Sequence, residues 1–357
     1  MNSKKLLLPI FILLALPVFA QQVDLSMIPY RQGNLWGYSS PDRTIVIRPA
    51  YDEANWFVSG YAVVKKNGKY GYINRAGKMV IPAKFYAAKP FRYGYFDNAG
   101  KHVEGGKTIQ NADSVLFAGA APKPDGVEIC INTKGQRMSK CPAINEASVQ
   151  DNTQVVSTST EKVYSLVNNA GLYDKLVDDY KIAGDDNAYY VGVKNNMYGV
   201  INKQFETVLP FEYSSVKVLN VAGVPYLEAT KGGMTGLYRA NGSVYVPSEY
   251  SNITYVKAKN GNDYLIVNKD GKAMVKDINF KDIVPADYSD ITYDPDGGFI
   301  LTGANNSKGY YLLNNNMTIK PRYSDVRMVR GGRFLLVKTA SGKTGYMSAD
   351  GTEYFEE

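Results

Sequence analysis

A single motif, written many times over, limits what this chain of 357 residues can become. Its clearest copy is Lys69-Tyr70-Gly71-Tyr72-Ile73-Asn74-Arg75-Ala76-Gly77-Lys78-Met79-Val80-Ile81-Pro82, followed by an aromatic at Tyr86. The frame returns at Leu35-Trp36-Gly37-Tyr38 with Pro49 and Tyr51, at Met197-Tyr198-Gly199 with Pro210 and Tyr213, and at Thr235-Gly236-Leu237 with Pro247 and Tyr250. It returns again near Met274 with Pro285 and Tyr288, at Lys308-Gly309-Tyr310 with Pro321 and Tyr323, and as a half-copy at Thr344-Gly345-Tyr346. Two eroded copies place Ile129 and Ser165 in the glycine slot. Between slots 37, 71, 129, 165, 199, 236, 274, 309 and 345 the steps are 34, 58, 36, 34, 37, 38, 35 and 36, so only one is irregular. A unit this short cannot bury its own apolar face, and neighbouring units must hide it for one another.

Local pattern says what a unit is. Tyr61-Ala62-Val63-Val64 and Tyr70-Gly71-Tyr72-Ile73 are short β-rich runs separated by Asn67-Gly68, a strong hairpin signal. The second run ends at Asn74-Arg75-Ala76-Gly77, where Gly77 suits the positive φ of a bulged three-residue loop before Met79-Val80-Ile81 returns. Each unit is therefore three or four strands. Pro82 lacks an amide hydrogen and is expected at a strand end or on an edge, turning the chain toward Tyr86. The recurrent rings at 51, 86, 213, 250, 288 and 323 are expected to share one slot in the packing between units. A strand near 27–31 and another near 352–355 would let the chain ends share a sheet. The fold class expected is all-β: a tandem β-hairpin repeat array, propeller-like, with an open β-solenoid as the alternative.

This frame resembles the WG repeat family of secreted and envelope proteins of bacteria. Trp36-Gly37 is the literal Trp-Gly, and Tyr70-Gly71 and Tyr198-Gly199 are its variants. The resemblance covers roughly residues 28–96 and 127–357. It implies a binding or structural array, and it carries over no catalytic residue.

Residues 1–20, MNSKKLLLPIFILLALPVFA, combine a basic start with an apolar run from Leu6 to Phe19 and a small residue at Ala20. That is the pattern of a secretory signal peptide, and the run is shorter than the roughly 20 residues needed to span a bilayer. Export through the Sec pathway to the periplasm or the cell exterior is expected, with no transmembrane segment in the mature chain. The organisation reads as 1–20 signal peptide, 21–96 N-terminal repeats, 97–162 a degenerate repeat or insertion, and 163–357 C-terminal repeats. Within the irregular part, Asp97-Asn98-Ala99-Gly100 and Gly105-Gly106 suggest turns, and the Ser/Thr-rich stretch 150–161 reads as a surface loop.

Composition narrows the chemistry. One His and two Cys leave too few soft ligands for a zinc or haem site and exclude most histidine-dependent nucleophilic catalysis, so no metal and no cofactor is expected. A net charge of +7, from 41 basic against 34 acidic residues, is too weak a bias to signal nucleic acid. Cys130 and Cys141 form an even pair in an oxidising compartment, which favours a disulfide. Register complicates the pair: if the loop copies that of Gly77, Cys130 faces Met138, and a wider loop would be needed. Two buried free thiols are the alternative.

Few residues offer a catalytic constellation. His102 sits in a polar loop with no Gly-x-Ser-x-Gly elbow to partner it. Asp294-Pro295-Asp296-Gly297-Gly298 imitates the start of a calcium loop but lacks the glutamate that would complete it, and reads as a tight turn. Asp178-Asp179 and Asp185-Asp186 are paired acids of the sort used on sugars, although adjacent strand residues point to opposite faces. Tyrosine, with 29 copies, is the remaining resource, since its ring and hydroxyl suit protein and carbohydrate surfaces alike. The rings outside the frame, Trp56, Tyr93, Tyr95, Tyr189 and Tyr190, are the candidate binding residues. The expectation is a secreted, non-enzymatic repeat protein that binds or scaffolds a protein or glycan partner of the envelope. The rival is a propeller-type polysaccharide hydrolase or lyase using Asp178, Asp185 or His102.

Overall fold

The computed structural model describes residues 23–95, 114–124, 126–143, 173–184 and 188–357. The signal peptide read at 1–20, the turns at 97–106, His102, Asp185-Asp186, the loop 150–161 and the eroded copy around Ser165 lie outside those residues. The chain forms two compact units, residues 1–151 with 354–357 and residues 152–353. Among the described residues every regular element is a strand. Among the described residues, unit 1 contains three sheets and unit 2 contains five, all four-stranded except the last, which has three strands. In the regular sheets, consecutive strands pair as an antiparallel meander, as in Ser215–Val221, Val224–Lys231, Met234–Arg239 and Val244–Tyr250. The fold is the all-β array of repeated small sheets that the motif demands.

The turns form as their residues dictate. Asn67 and Gly68 both take positive φ, 50° and 75°, between strands Tyr61–Lys66 and Lys69–Asn74, which is the turn that matches the twist of a tight hairpin. Gly77 has φ 74°, and its amide donates to the Asn74 carbonyl at 2.9 Å. The Asn74 carboxamide oxygen accepts from the amides of Ala76 and Lys78, fixing the loop. Asn132 and Asn202 repeat that arrangement in their own loops.

The frame glycine has a steric task. Trp36 pairs with Tyr51 and Tyr38 with Ile47, so a single residue, Gly37, faces three residues of the outer strand. The same jump occurs around Gly71, Gly199, Gly236 and Gly309. The frame prolines lie in this bulge on edge strands, where a missing amide costs no ladder bond. A Cβ on Gly71 would lie 2.6 Å from the Ile81 carbonyl oxygen and 2.7 Å from the Ala83 nitrogen. Met274 occupies the same slot and keeps the same register jump, so the bulge does not depend on glycine everywhere.

The packing slot corrects one expectation. Tyr51, Tyr213, Tyr250, Tyr288 and Tyr323 are buried in it, but at the second unit the slot belongs to Phe85, which pairs with Tyr70, and Tyr86 is 43% exposed. A one-residue shift along a strand sends a side chain to the opposite face. Tyr86 instead occupies the linking position between sheets, where Ser214, Ser251, Ser289 and Ser324 stand elsewhere. Each of these serines donates its amide and its hydroxyl to one carbonyl of the next hairpin, as Ser251 does to Asn268. The Tyr-Ser pair that closes four units is a sequence signal the motif analysis missed.

Cores lie between neighbouring sheets. In unit 1, Tyr38, Ile47, Ala62, Val64 and Ile73 form one cluster, and Val63, Tyr72, Ile81, Ala118 and Ile131 form the next. In unit 2, Val200 and Leu209 pack with Val216 and Leu227, and Val275 and Val284 with Phe299 and Leu301. Burying each such aliphatic side chain contributes about 1.5–3 kcal/mol, which no isolated sheet could gain. Strand Phe355–Glu356 pairs in parallel with Arg31 and Gln32, so the chain ends do share a sheet of unit 1.

Cys130 and Cys141 form a disulfide, with Cα atoms 5.4 Å apart. No wider loop is involved: Gly135 and Asn132 copy Gly77 and Asn74, and Met138 donates to the Cys130 carbonyl as the register requires. A bend at residues 139–140, immediately after Met138, returns Cys141 to its partner.

Candidate functional site

Loops at one end of the unit 2 sheets enclose a cavity of about 240 Å³. Loops 258–262, 295–297 and 330–333 each join the first and second strands of successive sheets, and loop 313–316 joins the third and fourth strands of one of them. All four contribute to the lining. The corresponding loop of the preceding sheet is only Ala222-Gly223, with both residues at positive φ. Lengthening of three consecutive loops at the same end of the sheets creates the hollow.

The loops are held by their own polar groups. In loop 258–262 the Gly261 amide donates to the Ala258 carbonyl, the Ala258 amide to the Asn262 carbonyl, and the Asn260 carboxamide to the Tyr264 hydroxyl at 3.2 Å. The Lys259 amide donates to the Tyr293 hydroxyl at 3.1 Å, which fixes that ring at the cavity wall. Asp294 ends its strand as the anchor of the next loop. One of its carboxylate oxygens accepts from the Asp296 amide at 3.0 Å, and the other from the Tyr310 hydroxyl and the Met328 amide at 3.0 and 3.1 Å. Burial, reinforced by the Asp294 charge, pushes the Tyr310 phenol well above its usual range and keeps it a donor. Loop 330–333 turns through three consecutive left-handed residues, Arg330, Gly331 and Gly332. The tight turn expected at 294–298 is present, and it lends Pro295, Asp296 and Gly297 to the lining.

Around the opening, Lys259 and Asp296 form an ion pair at 3.2 Å with side chains 71% and 62% exposed. A pair so exposed contributes little to stability and leaves both groups available to a ligand. Asn260 and Asn314 add exposed carboxamides, and Tyr293 and Leu313 add half-buried apolar surface. The site thus presents a flat ring beside paired donors and acceptors with no net charge. Its polar residues come from three separated loops, with glycines from a fourth, and only Asp296 belongs to a stretch that the sequence singled out, as a tight turn. For the others, the signal that could have found them is loop length and glycine content.

None of the candidate aromatics from the sequence lines this cavity. Trp56 is 1% exposed and Tyr189 is buried and stacked on Tyr180 with ring centroids 5.0 Å apart, so both serve the core rather than a surface. Tyr190 is half-buried against the cluster of Tyr173, Leu176 and Ile201. Tyr93, on strand Arg92–Tyr95 of unit 1, is 42% exposed. The side chain of Tyr95 lies outside the described residues. The sequence overvalued rings outside the frame because a core between sheets also recruits residues from the connecting segments. Trp56 and Phe57 lie in one, closed by the Val58 pairing with Tyr61. Asp178 lies on strand Lys175–Lys181 at a register shift, its carboxylate accepting from the Asp179 amide.

The repeats match a known family, the WG containing repeat, at residues 36–70, 70–97 and 198–220. No curated protein sequence matches the chain. Among solved structures, the chain is similar to dihydro-heme d1 dehydrogenase NirN in complex with DHE, at 11% identity and a TM-score of 0.27, over 94% of this chain and 73% of that one. It is also similar to the Dos1 propeller, at 10% identity and a TM-score of 0.23, over 91% and 76% of the two chains. A third similar structure, KlHsv2 with loop 6CD replaced by a Gly-Ser linker, gives 7% identity and a TM-score of 0.22, over 83% and 92%. Likeness at these scores carries no argument, and the fold rests on the strand pairing described above. Among the described residues no helix is long and apolar enough to cross a membrane.

Proposed function

We propose, from the premise that this is a WG-repeat protein, that it is an exported, non-enzymatic scaffold. In this reading it binds a protein or glycan partner at the bacterial envelope through the loops at one end of its sheets. The observation that carries the proposal is the division of labour within the repeats. Strand residues are committed to the cores between sheets, whereas three consecutive loops of unit 2 depart from the minimal turn and converge on one polar, preorganised hollow. Loops on a rigid scaffold are where binding groups concentrate. The Cys130–Cys141 disulfide and the apolar segment at 6–19 support export to an oxidising compartment.

The test expresses the full chain in a Gram-negative host and follows both steps. Export predicts a periplasmic or secreted product whose amino terminus is Gln21. Binding predicts that this purified product co-sediments saturably with isolated envelope fragments. A cytoplasmic product that retains residues 1–20, or a mature product that stays in the supernatant at all fragment concentrations, would overturn the proposal.

A further inference from the structure

We infer that the loop cavity of unit 2 receives the terminal ring of a neutral glycan. This rests on the binding reading above and narrows its partner to one chemical class. Four observations lead there. First, the cavity's charges cancel: Lys259 and Asp296 pair with each other at 3.2 Å, so neither a phosphate nor an acidic ligand finds an uncompensated cation. Second, the site is unsuited to a divalent cation, which needs six or more oxygen ligands for calcium or an octahedral set for magnesium. Both oxygens of Asp294 are already engaged by protein donors, and this leaves Asp296 as the single carboxylate in the lining.

Third, the groups that remain suit hydroxyls. A sugar hydroxyl both donates and accepts, and the Asp296 carboxylate, the Lys259 ammonium and the Asn260 and Asn314 carboxamides supply both kinds of partner around one opening. The Tyr293 ring, held by the Lys259 amide, supplies the flat apolar wall against which the C–H face of a pyranose packs. Fourth, size selects a chain end. At about 240 Å³ the hollow is below the roughly 300 Å³ at which sites for larger organic ligands begin. One ring enters, and the rest of the chain stays in solvent along the exposed loops.

The test titrates the mature full-length protein with N,N′,N″-triacetylchitotriose, cellotriose and maltotriose, and in parallel with trigalacturonic acid, inorganic phosphate and calcium chloride. Titration calorimetry reads binding, and protein NMR locates it. At least one neutral trisaccharide is expected to bind with shifts at loops 258–262 and 295–297. Asp296→Asn and Asn314→Ala should each weaken that binding about tenfold, the equivalent of one hydrogen bond to a charged or polar group. Tyr293→Phe keeps the ring wall and removes only the hydroxyl that orders loop 258–262, and the unfolding midpoints of all variants separate lost binding from misfolding. Tyr293→Phe should retain weaker but measurable binding.

Failure of all three neutral sugars, preference for an acidic sugar, phosphate or calcium, or sugar binding unchanged in the Asp296 and Asn314 variants would each overturn the inference. If envelope fragments still capture the protein after the neutral sugars fail, the binding proposal stands and the glycan assignment falls. If the fragments capture nothing either, both fall.

Discussion

Replacing Gly71 by alanine tests the steric account of the frame glycine, which recurs at Gly37, Gly199, Gly236 and Gly309. The added methyl would sit 2.6 Å from the Ile81 carbonyl oxygen, 2.7 Å from the Ala83 nitrogen and 2.9 Å from the Ala83 Cα, all backbone atoms of the opposing bulge. Backbone cannot rotate aside as a side chain can, so strand Met79–Phe85 must retreat by close to 1 Å to reach ordinary contact distance. That strand carries Ile81 and Phe85, 0% and 3% exposed, into the core shared with Ala118 and Ile131. Overpacking of this kind costs about 3 kcal/mol, the upper end of the usual range, because neighbouring sheets resist the shift. Alanine also restricts the unfolded chain, which returns about 0.5–1 kcal/mol. The net expectation is a loss of about 2 kcal/mol, read as a lower urea midpoint by circular dichroism. Gly236→Ala repeats the experiment in unit 2, where the new methyl would meet the Val246 oxygen at 2.7 Å and the Ser248 nitrogen at 2.8 Å. Met274 makes the rule refutable, since it fills the same slot with the register jump intact. If both alanine variants stay within about 0.5 kcal/mol of the parent, the bulge relaxes freely and the steric account of the frame glycine is wrong.

Three further outcomes follow from the same structure. Removing the Cys130–Cys141 bond by Cys130→Ser with Cys141→Ser should cost about 3 kcal/mol, the loop-entropy value for a separation of 11 residues, and reductant should reproduce the effect on the parent protein in urea titrations. An unchanged midpoint under reductant would show that the bend at 139–140 holds without it. Phe85→Ala should destabilise by about 3–5 kcal/mol, whereas Tyr86→Ser, which installs the residue found at four other linking positions, should be nearly neutral. The reverse ranking in thermal melts would restore Tyr86 to the core slot. Burial, and then the neighbouring acids Glu249 and Asp263, push the Tyr250 and Tyr255 phenols up to about 12. Because the folded state holds these protons more tightly than the unfolded chain does, stability is intact below about pH 10 and falls as pH climbs through 12. Ultraviolet titration should show these rings ionising together with unfolding, and a plain transition near pH 10 in a folded protein would contradict their burial.

What the sequence revealed and what it hid have a common physical origin. Turns are decided within a few residues, so Asn67-Gly68 and Gly77 announced the hairpins and Pro82 an edge directly, whereas the register jump opposite the frame glycine showed only in the strand pairing. Facing is decided by a period of two, and there a single residue matters. The aromatic at Tyr86 read as the second of six members of a series whose true member there is Phe85, since the two rings are chemically alike but lie on opposite sides of the chain. The linking serine would have resolved it, because four units place Ser directly after the slot ring and the second unit places Tyr86 there. The disulfide was legible as a pair but not as a geometry, because the bend after Met138 is invisible to a register count.

Sites are harder still, for a reason built into repeat proteins. A strand position recurs in every unit and shows itself by recurrence, whereas a binding group is useful because its unit differs from the others. Lys259, Asp296 and Asn314 belong to loops at which successive units diverge, and no spacing links them along the chain. Their divergence was nevertheless measurable. Loop 222–223 is a two-residue turn, and loops 258–262, 295–297 and 330–333 are longer. Loops that carry little of the packing between sheets are free to differ from unit to unit and to hold contact groups. Restoring loop 258–262 to an Ala-Gly turn should therefore remove Lys259 and Asn260 from the site while leaving the core of Val275, Phe299 and Leu301 in place. Retained thermal stability with lost partner binding is the expected result. A large fall in stability would instead show that the longer loop serves the fold, and the assignment of function to this end of unit 2 would fail.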